Sequence, residues 1–164
     1  MVVSVTPVFR LAMCLLLPAL GCAYSFRGSL PPYVRTVEVE QFRSSVAEYG
    51  LETEISSMVT ERIVTDGRLS VVTENPDARI SGRVSSFTRS AEEYTGGEQV
   101  QLYRLDLRVE ITMEDLRAGG YIIHSESVSE WVLYDPTSET MTEARDRLIR
   151  DAAGEIVQKC LSGW

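Results

Sequence analysis

The sharpest pattern in this sequence lies between Val100 and Glu114. Apolar side chains take alternate positions, at Tyr103, Leu105, Leu107, Val109, Ile111 and Met113. Arg104, Asp106, Arg108, Glu110, Thr112 and Glu114 fill the places between. A period of two puts the sets on opposite faces of an extended strand, one dry and one wet. A weaker alternation runs through Ala78, Ile80, Gly82 and Val84, predicting a strand over 78–88. Another sets Val37 and Val39 against Glu38 and Glu40, predicting a strand over 34–42. Segments 68–73 and 121–134 read as further strands, the second less regular. Gly96-Gly97 and Gly119-Gly120 mark hairpin reversals, and Asn75-Pro76-Asp77 marks a turn.

Two segments switch to helical spacing. Leu51, Ile55, Met58, Val59, Arg62 and Ile63 form one stripe over 51–64, which Asp66-Gly67 ends. Its start is open: Ser45 with Glu48 fits a capping box, whereas Gly50 favours a later beginning. Met141, Ala144, Leu148, Ile149, Ala152, Ile156 and Cys160 form the second stripe, opened by Asp135-Pro136 and a capping box of Thr140 with Glu143. Two amphipathic helices need an apolar surface, and the sheet has one dry face. The expected fold is an α+β two-layer sandwich, with both helices on one face of a mostly antiparallel sheet of four to five strands. The opening strand–helix–strand should pair in parallel through a right-handed crossover. The expected core is Val37, Val39, Leu51, Ile55, Met58, Ile63, Ile80, Val84, Leu105, Leu107, Val109, Ile111, Leu148, Ile149 and Ile156.

The N-terminus breaks this pattern. Leu11 to Leu20 reads LAMCLLLPAL, apolar throughout, with Arg10 the one charge before it. Ten helical residues rise only about 15 Å, half of a bilayer core of about 30 Å. The segment fits a secretory signal peptide, with a buried N-terminal helix as the competing reading. Ala19-Leu20-Gly21-Cys22 resembles the bacterial lipobox, with its leucine one place late. Cleavage before Cys22 would place a diacylglyceryl thioether and an N-acyl chain on that residue, a durable membrane anchor; ordinary cleavage with an unmodified Cys22 is the alternative. The boundaries are then a leader over 1–21, a lipidated tether over 22–32 and one domain over 33–164. Loss of the leader removes Cys14 and Arg10. The remaining 143 residues carry 15 basic and 24 acidic side chains, a formal charge of −9. With Cys22 acylated, Cys160 stands alone, so no internal disulfide is expected and Cys160 reads as a small buried hydrophobe.

Charge and chemistry narrow the function. So acidic a chain lacks the broad basic footprint of a nucleic-acid partner. The one histidine, His124, has no nucleophile elbow, metal box or phosphate loop around it, and no catalytic residue, metal or cofactor is expected beyond the acyl groups on Cys22.

Four stretches together resemble the LptE family of lipopolysaccharide-assembly lipoproteins: CAYSFRGSLPP from Cys22, VRTVEV from Val34, Gly50-Leu-Glu, and ERIVTDGRLSVV from Glu61. The likeness covers essentially the whole mature chain. It implies a lipid-anchored protein on the periplasmic side of the outer membrane of a Gram-negative envelope. Its implied partners are LptD, a β-barrel translocon that it plugs in a 1:1 complex and helps assemble, and lipopolysaccharide. Ala23 stands where inner-membrane retention would want an Asp, which agrees with the outer membrane. The family binds glycolipid through basic residues near the sheet hairpin and the loop before the last helix. Here those segments, SAEEYTGGE from Ser90 and DPTSE from Asp135, are acidic. Arg83, Arg89, Arg104 and Arg108 are the nearby positive charges, and weak lipopolysaccharide affinity is expected to rest on Arg89. The alternative role is a lipoprotein that regulates or scaffolds a cell-wall enzyme from the membrane.

Overall fold

In the computed structural model, which describes residues 30–94 and 100–162, the alternating segments assemble into one sheet with both helices on its dry face. The leader, Cys22 and the Gly96-Gly97 reversal lie outside the described residues. The elements are β1 (Thr36–Val39), β2 (Arg43–Ser44), α1 (Leu51–Asp66), β3 (Ser70–Val71), β4 (Ala78–Tyr94), β5 (Val100–Asp115), β6 (Tyr121–Tyr134) and α2 (Met141–Ser162). The sheet runs β3-β1-β4-β5-β6, with β2 also beside β4. It is six-stranded and mixed, where four to five mostly antiparallel strands were expected. β1 is parallel to both β3 and β4, and β2 is parallel to β4, whereas β4–β5–β6 form an antiparallel meander.

The extra strand arises because the segment expected to run over 34–42 breaks. Val37 to Val39 pairs with β4 residues 78–80, the chain leaves the ladder, and Arg43 resumes pairing opposite Arg83. The break turns Phe42 inward, where it is 2% exposed. Its amide donates to Ser56 Oγ at 2.8 Å, tying the break to α1. Its ring lies over Gly82, where an added Cβ would sit 2.5 Å from a ring carbon. The alternation through Ile80, Gly82 and Val84 therefore contains one deliberate gap, which Phe42 fills.

The helices form as their stripes require. Leu51, Ile55, Val59 and Ile63 of α1 are buried, with Met58 partly buried and Arg62 exposed. The helix starts at the later of the two candidate positions. Gly50, at φ 81°, offers its carbonyl to the amides of Thr53 and Glu54, while Ser45 bonds back to β4 at the Val84 carbonyl. Gly67, at φ 77°, closes the helix. The Thr140–Glu143 capping box of α2 is present in both directions, at 2.8 and 3.3 Å. Arg145 of α2 reaches Glu54 in the first turn of α1 at 3.0 Å. The buried core holds the expected residues, except that Val39 and Met58 pack only at its margin. Cys160 is buried, and burial pushes its thiol up to about 12.

Two bulges govern which side chain meets which layer. On β4, Val84 opposes Val109 and Ser86 opposes Arg108, leaving Ser85 as the extra residue. On β6, Ile123 opposes Met113 and Glu126 opposes Ile111, so His124 and Ser125 face one residue, with Ser125 at φ 53°. This accounts for the irregular alternation of 121–134. The first moves Ser86 to Ala91, and the second the rest of β6, to the face opposite the one an unbroken strand would give.

At the end where the chain enters the domain, two aspartates anchor it. Asp77 accepts from the amides of Arg35 and Thr36 at 2.9 and 3.0 Å and from Thr36 Oγ1 at 2.9 Å. Asp115, 6% exposed, accepts from the Tyr33 hydroxyl and from the amides of Arg117 and Ala118 at 2.9 and 2.8 Å. The Tyr33 hydroxyl above all, then the Ala118 amide, hold the Asp115 carboxyl below the usual range. The Arg35 and Thr36 amides do the same for Asp77.

Two outcomes follow from this packing. Gly82→Ala drives a methyl into the Phe42 ring, so it should destabilise by about 1–3 kcal/mol, outweighing the roughly 0.4–1 kcal/mol gained by stiffening the unfolded chain. Urea melts should show this loss, and adding Phe42→Leu should recover part of it. Because both carboxyls sit below their unfolded values, their contribution is complete above about pH 5. It is lost as pH falls past about 3.9 through the folded values. Asp115→Asn should lower the urea midpoint at pH 7 and flatten its fall between pH 5 and 3. A variant declining as steeply as the parent would remove Asp115 from this account.

Candidate functional site

The sheet face away from the helices is uncovered, and β4, β5 and β6 display their polar set there. Charges on it meet in cross-strand register. Arg79 lies 2.9 Å from Glu38, 3.3 Å from Glu40 and 3.8 Å from Glu114. Arg83 stands between Arg43 on β2 and Glu110 on β5. Arg104 bonds Asp106 at 2.9 Å and lies 4.4 Å from the centroid of the Trp131 ring. Arg108 donates to Ser129 Oγ at 3.2 Å. Opposite charges meet at the Arg79 cluster, at Arg83–Glu110 and at Arg104–Asp106, whereas Arg43 and Arg83 are like-charged neighbours, so the face is wet and carries both signs. Trp131 stands on it 51% exposed. Alternation carried straight on from Ile123 would bury Trp131; the Ser125 bulge turns it outward.

Arg89 is on the other face. The Ser85 bulge aligns Arg89 with Leu105 and Ala91 with Tyr103, on the helix side. Of the four arginines singled out from the sequence, Arg83, Arg104 and Arg108 therefore share one face and Arg89 does not. Its guanidinium sits 3.7 Å from the Tyr103 ring centroid and 5.6 Å from that of Tyr134. These two rings stack at 5.5 Å and 23°. Tyr134 is 3% exposed, and its hydroxyl is buried. The cluster closes the sheet end where the acidic segments leave it, Glu92 and Glu93 from β4 and Asp135 and Glu139 after β6. Arg147 is held there by Glu139 at 2.7 Å and the Leu133 carbonyl at 3.0 Å. The Tyr103–Tyr134 platform escaped the sequence reading, since pairing them requires the β5–β6 register.

Elsewhere the polar residues offer structure more than chemistry. His124 meets the Tyr121 ring edge-on at 4.6 Å. Among the described residues, no three His, Cys, Asp or Glu side chains are placed to hold a metal ion. No helix among them is long and apolar enough to cross a membrane.

This geometry defines a class: a two-layer α+β domain with helices on one sheet face, a charge-paired second face, and an aromatic–arginine cluster at one end. The family model described as LptE, lipopolysaccharide-assembly, matches residues 34–162, and the chain belongs to that family. The family is one of non-enzymatic envelope lipoproteins and implies a partnership with lipopolysaccharide-transport machinery. Comparison with curated proteins gives no match. Among solved structures, the hypothetical protein CT253 from Chlamydia trachomatis has a TM-score of 0.60 at 9% identity, covering 76% of this chain and 94% of its own. Uncharacterized lipoprotein B from Nitrosomonas europaea has a TM-score of 0.54 at 17% identity, covering 80% of this chain and 83% of its own. Protein XCC0632 from Xanthomonas campestris has 0.51 at 11%, covering 81% and 90%. At these identities the likenesses establish the fold alone.

Proposed function

We propose that this chain is an outer-membrane lipoprotein, anchored through an acylated Cys22, that plugs a β-barrel translocon of the LptD kind and helps it assemble for lipopolysaccharide transport to the cell surface. The family match over residues 34–162 carries this reading, because it spans the whole domain and not one motif. The uncovered face supports it physically. Large outer-membrane barrels have polar interiors, and a sheet face carrying charges of both signs and an exposed Trp131 suits such a wall better than lipid. The domain acts by occupying space and offering surface, not by catalysis.

Glycolipid phosphate is assigned to Arg89. Its guanidinium is stacked on Tyr103, which orients the fork that phosphate recognition uses. Arg104 is paired with Asp106 and Arg108 with Ser129. The acidic segments around the end keep the affinity low.

Detergent extraction should bring a large β-barrel with this chain in about equal amounts, and depletion of the chain should remove surface lipopolysaccharide. Extraction alone, or together with a cell-wall enzyme, overturns the plug. In a direct binding titration, Arg89→Ala should weaken lipopolysaccharide roughly tenfold, the equivalent of one charge-assisted hydrogen bond, while Arg104→Ala should change little. Unchanged binding by Arg89→Ala removes that assignment.

A further inference from the structure

The tip that joins β5 to β6, Leu116 to Tyr121, has no part in the roles above. Leu116 is 39% exposed, Tyr121 57%, and Tyr33, in the entering chain, 36%. Single exposed apolar residues are ordinary, but these are fastened into one unit. The Tyr33 hydroxyl donates to Asp115, and Arg117 Nη1 donates to the Tyr33 carbonyl at 3.3 Å. The Arg117 guanidinium lies 5.5 Å from the Tyr33 ring centroid. The hairpin tip and the point of chain entry therefore move together.

Charge separates this end from the other. The acidic groups packed beside the tip are engaged: Asp115 by Tyr33 and two amides, Asp77 by β1 and Arg117, Glu114 and Glu38 by Arg79; Glu74, in the turn before Asp77, is exposed. What faces outward is leucine, tyrosine and an Arg117 side chain that is 57% exposed. Those residue types settle at the boundary of a bilayer, rings and stems in the headgroup layer and cation beside phosphate. The opposite end exposes Glu92 and Glu93, which an anionic leaflet repels.

Chain length agrees with the charge. The described domain begins at Leu30, which packs on the core. From there the turn closed by the Val34 amide on the Pro31 carbonyl at 2.9 Å leads directly to Tyr33. Cys22 precedes Leu30 by eight residues, a span of at most about 28 Å when fully extended. β5 alone, at 16 residues, is about 53 Å long. The tether holds the tip end near its bilayer, and the acidic end lies the length of β5 away from the attachment point.

We propose that, while the domain is outside the barrel, the β5–β6 hairpin tip, together with Tyr33, rests on the phospholipid surface that holds the anchor. Leu116 and Tyr121 seat among the headgroups, and Arg117 lies against lipid phosphate. The inference depends on the reading of Cys22 as the anchor, which supplies the local concentration that so small a contact needs. The contact orients the domain, with its acidic end and its Arg89 cluster held away from the leaflet.

The test uses the full lipidated chain in vesicles of phosphatidylethanolamine and phosphatidylglycerol. Cys160 is buried and its thiol is pushed up to about 12, so an introduced cysteine takes label selectively. Leu116→Cys carrying a nitrobenzoxadiazole dye should shift to the blue and brighten several-fold on reconstitution. The same dye at Ser138→Cys, in the loop at the acidic end, should not respond. Vesicle flotation is read on the same samples. A protein that floats while the Leu116 dye stays water-like, or while both dyes respond alike, overturns the tip contact. A protein that does not float overturns the anchor instead. Leu116→Ser with Tyr121→Ser should float normally but let a dye at Ser138→Cys sample the lipid surface; no change in that dye also counts against the contact.

Discussion

A sheet with a single dry face is the constraint on which this domain depends. The two helices have nowhere else to bury Leu51, Ile55, Val59, Leu148, Ile149 and Ile156, so they lie side by side on it. Every strand residue is then committed to one of two environments, and the commitment alternates strictly. A single inserted residue reverses it for all that follow. Ser85 and Ser125 are such insertions, and they fall on the two neighbours of β5. They place Arg89 over tyrosine rings on the helix side and Trp131 on the open side, each against a straight reading of its strand.

The same constraint explains Phe42 and Gly82. A chain that tracked β4 without interruption would keep alternating and leave a hole beneath α1. Breaking the first strand lets one large ring fill that hole, and the missing Cβ of Gly82 makes the room. The hydroxyl of Ser56 satisfies the amide that the break exposes at Phe42. The amide that the break frees is satisfied by a helix, not left to water.

The domain is therefore polar along its long axis as well as across its layers. One end is rigid, its turns held by two aspartates whose oxygens are fully engaged. The other carries the arginine–tyrosine cluster and the exposed acids Glu92 and Glu93. A lipid tether at the first end and a glycolipid contact at the second would sit on opposite sides of the long meander. For a lipopolysaccharide-assembly protein that separation is useful, since anchoring and cargo contact do not compete for the same surface.

The sequence by itself determined the layers. Periods of two and 3.6 follow from backbone geometry, and apolar residues at those spacings have few ways to leave water, so the helices, the meander and most of the core were legible in advance. Gly67 and the Thr140–Glu143 box marked helix ends correctly because those signals act within a few residues; the first helix's start, open between Ser45–Glu48 and Gly50, was decided by the fold in favour of Gly50. What only the tertiary structure decided was register. A bulge differs from a regular strand by where its partner pairs, and β1 divides because Phe42 has a place to go. The Tyr33–Asp115 contact joins residues 82 positions apart. Such features depend on distances between segments, and nothing in a short window of sequence carries them.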